Sequence, residues 1–204
     1  MSKSVDFFDR QFRQQGTDVA LRLNPFEEQA LPYLQGEVLD FGCGMGNLAF
    51  AAAMRGCKVT ALDASPAAIE HVRARANKED LPVAASLADL RDYRISRTYD
   101  CIVSIGLLLF FDCPTAFKVL AEIQEHVRPG GCAVVNVLVE GTTYLDMFDP
   151  QDHCLFSPTA VLDGFSGWNI VLSEFSEFSA PCHTLKRFST VIARKPNVQA
   201  AGGA

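Results

Sequence analysis

The sequence predicts an open, doubly wound α/β sheet, mostly parallel, closed by a C-terminal antiparallel β-hairpin. Short apolar runs alternate with amphipathic helical segments between residues 37 and 139, the rhythm of strand–helix–strand units with right-handed crossovers. The first of these strands runs straight into a glycine-rich turn, Asp40-Phe41-Gly42-Cys43-Gly44-Met45-Gly46-Asn47. The chain then ends on two β-rich runs with no helical segment between them, as a hairpin requires.

Taken in order, Phe7, Phe8 and Phe12 stand at helical spacing near the start. Asn24-Pro25 opens a second helix, since asparagine caps well and proline fits the first helical position. Glu37–Phe41 is the first strand, Asn47–Arg55 the helix after the glycine turn, and Lys58–Asp63 the second strand. Ser65-Pro66 caps a helix bearing Ile69, Val72 and Ala76 on one face. Val83–Ser86 and Asp100–Ile105 follow as strands, the latter almost wholly apolar, as a strand covered on both faces should be. A helix spans Pro114–Val127, and Pro129-Gly130-Gly131 predicts a stop and turn before a fifth strand, Cys132–Val139. Ser157-Pro158 opens a short helix ending near Gly164, and Trp168–Phe178 and Leu185–Ala193 form the hairpin.

A chain of 204 residues, 49% hydrophobic, can bury one substantial core. We read a single domain over 1–196, with 1–30 as a helical lid region and 197–204 as a flexible tail. The formal charge of −6 and the lack of basic runs give no support to nucleic-acid binding, which leans on neutralised phosphates. No stretch is long and apolar enough to span a bilayer, and residues 1–10 show no apolar leader core. Seven cysteines without C-x-x-C or zinc spacing suit buried free thiols in a reducing cytoplasm, with no metal site. The expected partner is a small molecule, with no nucleic acid or membrane, in a monomer or homodimer.

On a doubly wound sheet, ligands bind at the carboxyl ends of the strands. Asp63 stands 23 positions after Asp40, at the end of the second strand, where a carboxylate meets ribose hydroxyls. A dinucleotide fingerprint would need its third glycine at position 47, which is Asn47; the glycine falls at Gly46 instead. Asp40, two residues before the first glycine, suits a cationic amino-acid end better than a pyrophosphate, because like charges repel. Asp89, after the third strand, is placed to accept from an adenine amino group with Leu87 and Ala88 beside the ring, although it could equally be a turn residue. Ser104, after which the fourth strand ends, is placed near the methionine end. Asp100, at the opposite end of that strand, reads as structural, and His153 reads as a loop residue.

The pattern Asp40-x-Gly42-x-Gly44-x-Gly46 followed by Asp63 resembles the first motifs of class I S-adenosylmethionine-dependent methyltransferases, with their Rossmann-like sheet. The resemblance implies cofactor contacts from Asp40, Gly42, Cys43, Gly44, Gly46, Asp63, Ala64, Leu87, Ala88, Asp89 and Ser104. More narrowly, the chain resembles the small tellurite-resistance methyltransferases. Phe7-Phe8-Asp9-Arg10, Leu39–Asn47, Arg97–Ser104, Leu107–Phe111, Arg128–Gly131, Phe156-Ser157-Pro158, Gly167-Trp168 and Lys186–Thr190 up to Lys195 bear that likeness. It implies methyl transfer from S-adenosylmethionine, giving S-adenosylhomocysteine, to tellurite- or selenite-type oxyanions or another soft nucleophile. It further implies catalytic roles for His183 and Arg187, although Thr184 stands where that family has an arginine. If both lie in one strand they share a face, with Cα atoms roughly 13 Å apart, so an acceptor could sit between them.

Methyl transfer from a sulfonium is an in-line displacement helped chiefly by alignment and exclusion of water. The aromatics Phe7, Phe8 and Phe12, or Tyr144 and Phe148, are candidate lids. A protein that binds S-adenosylmethionine without catalysis, or one that methylates an unrelated small organic molecule, would show the same motifs.

Overall fold

A computed structural model describes residues 3–15, 22–149 and 152–197. One seven-stranded sheet runs through the molecule in the order β3-β2-β1-β4-β5-β7-β6. The strands are β1 (Glu37–Phe41), β2 (Lys58–Asp63), β3 (Val83–Leu87), β4 (Tyr99–Ile105), β5 (Val127–Leu138), β6 (Asn169–Ala180) and β7 (Thr184–Arg194). The first five are parallel, and β7 and β6 close the sheet antiparallel. The chain reverses direction of travel across the sheet between β1 and β4, which leaves a crevice at their carboxyl ends.

Helices α1 (Lys3–Gln15), α2 (Pro25–Ala30), α3 (Asn47–Met54), α4 (Pro66–Lys78), α5 (Cys113–His126) and α6 (Ala160–Gly164) flank the sheet. Alternation along each strand sorts the core into two layers. Leu39 and Phe41 of β1 join Ala116, Leu120 and Ile123 of α5. Val38 faces the other way, towards Leu48 and Phe50 of α3 and Ile69 and Val72 of α4. Position 40 therefore belongs to the α3 side of the sheet.

Most expected elements form within a residue or two of their sequence-derived ends. The fifth strand is the exception. It begins at Val127 and runs through Pro129-Gly130-Gly131, where a stop was expected. Its pairing with β4 shifts register between Tyr99 and Cys101, and the irregular stretch is held from outside the ladder. Gly130 N–H donates to the Lys195 carbonyl, and the Lys195 N–H donates to that of Gly131.

The expectation that the cysteines are free also needs correction. Cys113, at the start of α5, is bonded to Cys154, while Cys43, Cys57, Cys101, Cys132 and Cys182 are free. Pairing was invisible in sequence because the two are 41 positions apart and meet only when α5 packs under the loop after β5. No helix among the described residues is long and apolar enough to cross a membrane. The expected tail, 197–204, lies outside the described residues except for Asn197.

Candidate cofactor site

A cleft of about 570 Å³ opens at the carboxyl ends of β1, β2, β3 and β4. Its floor is the glycine turn. Gly44 has φ +50°, a left-handed conformation that L side chains rarely adopt, and the ring of Phe12 from α1 lies within ordinary contact distance of a Cβ placed there. Gly42, Cys43, Gly44, Asp40, Asp63 and Ala64 all line the cleft, as expected.

Asp40 is 6% exposed. Burial, then the charges of Glu27 and Asp63, push its carboxyl up to about 8, opposed by the backbone N–H of Ala49. An acid in that state is short of a positive partner. Asp63 is tied at both oxygens: Gly44 N–H donates to Oδ2 and Ser65 N–H to Oδ1, each at 2.8 Å. Burial still raises its carboxyl. The Ala64 backbone N–H also holds it down, and a carboxylate with about four lone-pair sites so bonded keeps some acceptor capacity.

Leu87 ends β3, and the Ala88 N–H donates to the Asp63 carbonyl at 3.0 Å, which ties this wall to the end of β2. Leu87, Ala88 and Asp89 line the cleft together. Asp89 is also a turn residue: its Oδ1 accepts from the Arg91 N–H at 3.2 Å. Asp89 is thus a turn residue that also lines the cleft.

Two expected contacts are not brought to the cleft. Gly46 caps α3 with φ +77°, and a Cβ there would meet Val72 at 2.8 Å and Phe50 at 3.1 Å. It turns the chain and faces the core. Ser104 is fully buried inside β4, its hydroxyl without a hydrogen-bond partner among the described residues. The next two residues, Ile105 and Gly106, line the cleft in its place.

The roof is α1. Phe8 and Phe12 line the cleft, stacked with centroids 5.9 Å apart, and Phe8 meets Phe110 edge-on at 5.2 Å. Phe7 packs on Phe8 from outside. The other lid candidates are engaged elsewhere: Phe148 is buried against Phe110 and His153, and Lys186 lies over the ring of Tyr144. Asp9 fixes the roof. Its Oδ1 accepts from Ser65 Oγ at 2.7 Å and Ala67 N–H at 3.0 Å, at the start of α4. Its pairing with Arg13 and these two bonds hold its carboxyl down at about 2.

Sequence reasoning missed Asp9, Glu27, Phe110 and Arg91. Glu27 completes a capping box with Asn24, its Oε2 accepting the Asn24 N–H at 2.7 Å. The spacing Asn24-x-x-Glu27 was legible as a cap, but nothing local says that the cap overhangs Asp40. Burial raises the Glu27 carboxyl.

His183 and Arg187 are not among the cleft-lining residues. His183 is exposed in the short turn Pro181–His183, at φ +59°, and so is not in a strand with Arg187. Arg187 pairs with Glu177 across the hairpin at 2.7 Å. The expectation that the two share a strand face is overturned by the turn that precedes Thr184.

With this geometry in view, residues 38–131 match the family model described as "Methyltransferase domain". That stretch, a little under half of the chain, is similar to a methyltransferase domain. The chain is 27% identical over 206 residues to Hemagglutinin 1 of Eikenella corrodens, covering 95% of this chain and 64% of that protein. Curated relatives are thus matched over less than two thirds of their own length. Among solved structures, TehB from Haemophilus influenzae superposes with a TM-score of 0.74 at 20% identity, over 92% of this chain and 67% of that one. NodS from Bradyrhizobium japonicum WM9, an N-methyltransferase in complex with S-adenosylhomocysteine, superposes with a TM-score of 0.73 at 17% identity, over 96% of this chain and 100% of that one. The chain thus shares the Rossmann-like fold of these methyltransferase structures.

Proposed function

We propose that the protein transfers a methyl group from S-adenosylmethionine to a small-molecule acceptor bound in the same cleft. The observation that carries the reading is the cleft's set of carboxylates around a bare glycine turn. Asp40 is buried with no cation among the described residues pairing with it, as fits an amino-acid ammonium. Asp63 keeps acceptor capacity for a ribose, and Asp89 keeps it for an adenine amino group, with Leu87 and Ala88 against the ring.

When bound, the cofactor supplies an electrophilic methyl on sulfur. The chain's own part is to orient and to exclude water. Gly42, Cys43, Gly44 and Ala64 form the floor against which the ligand lies, and Phe8 and Phe12 cover it. A soft nucleophile needs little else.

The test is thermal denaturation with S-adenosylhomocysteine, S-adenosylmethionine and NAD. A ligand at a hundredfold its dissociation constant should add about 2.7 kcal/mol to stability. Stabilisation by the two adenosyl ligands and none by NAD is expected; the reverse pattern sinks the reading.

Tellurite- and selenite-type oxyanions are the finer acceptors that the TehB-like fold brings forward, with His183 and Arg187 as their catalytic pair. The observed positions support that pair least. For transfer inside the cleft, His183→Ala and Arg187→Ala should each leave turnover within about twofold of wild type, since neither side chain touches the aligned groups. A loss beyond tenfold in either would return the pair to the mechanism.

A further inference from the structure

The balance of charge around the cleft bears on what receives the methyl group. Among the described residues lining it, Glu27, Asp40, Asp63 and Asp89 are acidic and Arg91 is the one cation. Arg91 is already committed: Nη1 pairs with Asp152 at 2.5 Å, Nη2 donates to the Phe110 carbonyl at 2.7 Å, and the guanidinium lies over Phe111. S-adenosylmethionine brings a sulfonium, an ammonium and a carboxylate, one net positive charge. That charge does not neutralise four acids, even with Asp40 partly protonated. Once Asp40, Asp63 and Asp89 are matched to ammonium, ribose and adenine, Glu27 remains.

A second, independent feature points the same way. One wall is aromatic, with Phe8 in contact with both Phe12 and Phe110, and Leu107 and Ile105 also line the cleft. Ring faces attract organic cations and repel anions. Carboxylate and aromatic faces together form a site that favours a positively charged nitrogen on an apolar body, and that rejects an oxyanion.

Resting on the methyltransferase reading above, we propose that the acceptor is a primary or secondary amine with an aromatic or other apolar body, held at its nitrogen by Glu27. The amine enters as its ammonium and gives a proton to the Glu27 carboxylate, which burial already inclines to accept one. The freed lone pair attacks the methyl carbon. A C–N bond forms, the C–S bond breaks with its electron pair returning to sulfur, and the positive charge passes from sulfur to nitrogen. The products are the methylated ammonium and neutral-sulfur S-adenosylhomocysteine, and Glu27 returns its proton to solvent. An oxyanion would have to enter against the field of these carboxylates.

The experiment is calorimetric binding to the full chain. S-adenosylhomocysteine is titrated first, and its failure to bind would remove the methyltransferase reading itself. At saturating S-adenosylhomocysteine, three phenyl-bearing probes of similar size then follow (2-phenylethylamine, 2-phenylethanol and phenylacetate), with inorganic selenite as the fourth. The amine is expected to bind at least tenfold more tightly than the alcohol, and phenylacetate and selenite more weakly still. In Glu27→Gln, read as the ratio of amine to alcohol affinity, the preference should fall to within about threefold, the loss of one charge-assisted contact. Transfer of label from S-adenosylmethionine to the amine should follow the same order. Equal or tighter binding of phenylacetate or selenite, no binding of any probe, or an amine preference that survives in Glu27→Gln would each overturn the proposal while leaving the cofactor site standing.

Discussion

Asp40→Asn should raise the melting temperature of the ligand-free protein at pH 8 and weaken its binding of S-adenosylhomocysteine by at least tenfold. Both effects come from one carboxyl held at about 8 by burial and by the charges of Glu27 and Asp63. Its folded value lies above its ordinary value of 3.8. The native state therefore binds the proton more tightly than the unfolded chain does. The associated stability is present in full below about pH 4 and is lost progressively as pH rises through 8. Asparagine keeps the shape and removes that slope, so wild type and variant should diverge in thermal stability between pH 5 and pH 8, with the variant the more stable.

Ligand affinity runs the opposite way. A ligand that presents an ammonium to Asp40 prefers the charged carboxylate, so affinity in the wild type should rise from pH 6 to 8 and level off above. At pH 7, binding should release close to one proton, read from calorimetry in buffers of different ionisation enthalpy. The variant should release none at this site. Identical pH profiles for wild type and Asp40→Asn would remove Asp40 from the cofactor's amino-acid end.

Asp63→Ala is expected to weaken S-adenosylhomocysteine binding by a hundredfold or more, about 2.7 kcal/mol. Two losses combine. The ribose loses its acceptor, and the N–H groups of Gly44 and Ser65 lose the carboxylate that holds the glycine turn against the start of α4. Asp9→Ala provides the contrast. It unlatches α1 from Ser65 and Ala67 without touching that carboxylate, and should weaken binding less. If Asp63→Ala binds as tightly as wild type, the second-strand carboxylate has no part in the cofactor site.

Much of the site could be read from the chain because its parts are local. Asp40 and the glycine turn lie within six positions of one another, and Asp63 follows at the interval that one helix and one strand impose. Leu87, Ala88 and Asp89 follow by the same repeat. Gly46 and Ser104 misled because spacing assigns a residue to a turn or strand end without saying which way it faces. Gly46 turns to Val72 and Phe50, and Ser104 is enclosed within the sheet.

The sequence by itself determined the fold class and the rim on which the cleft lies, since hydrophobic period and turn chemistry act over short stretches. Only the tertiary structure decided what closes and charges that rim. Asp9 reaches Ser65 across 56 positions, Glu27 and Asp40 come together from separate elements, and Cys113 finds Cys154 across 41. The turn at Pro181–His183 likewise took His183 out of the strand in which Arg187 lies. Such encounters depend on how helices stack on a finished sheet, and contacts between residues far apart leave no periodic trace in the chain.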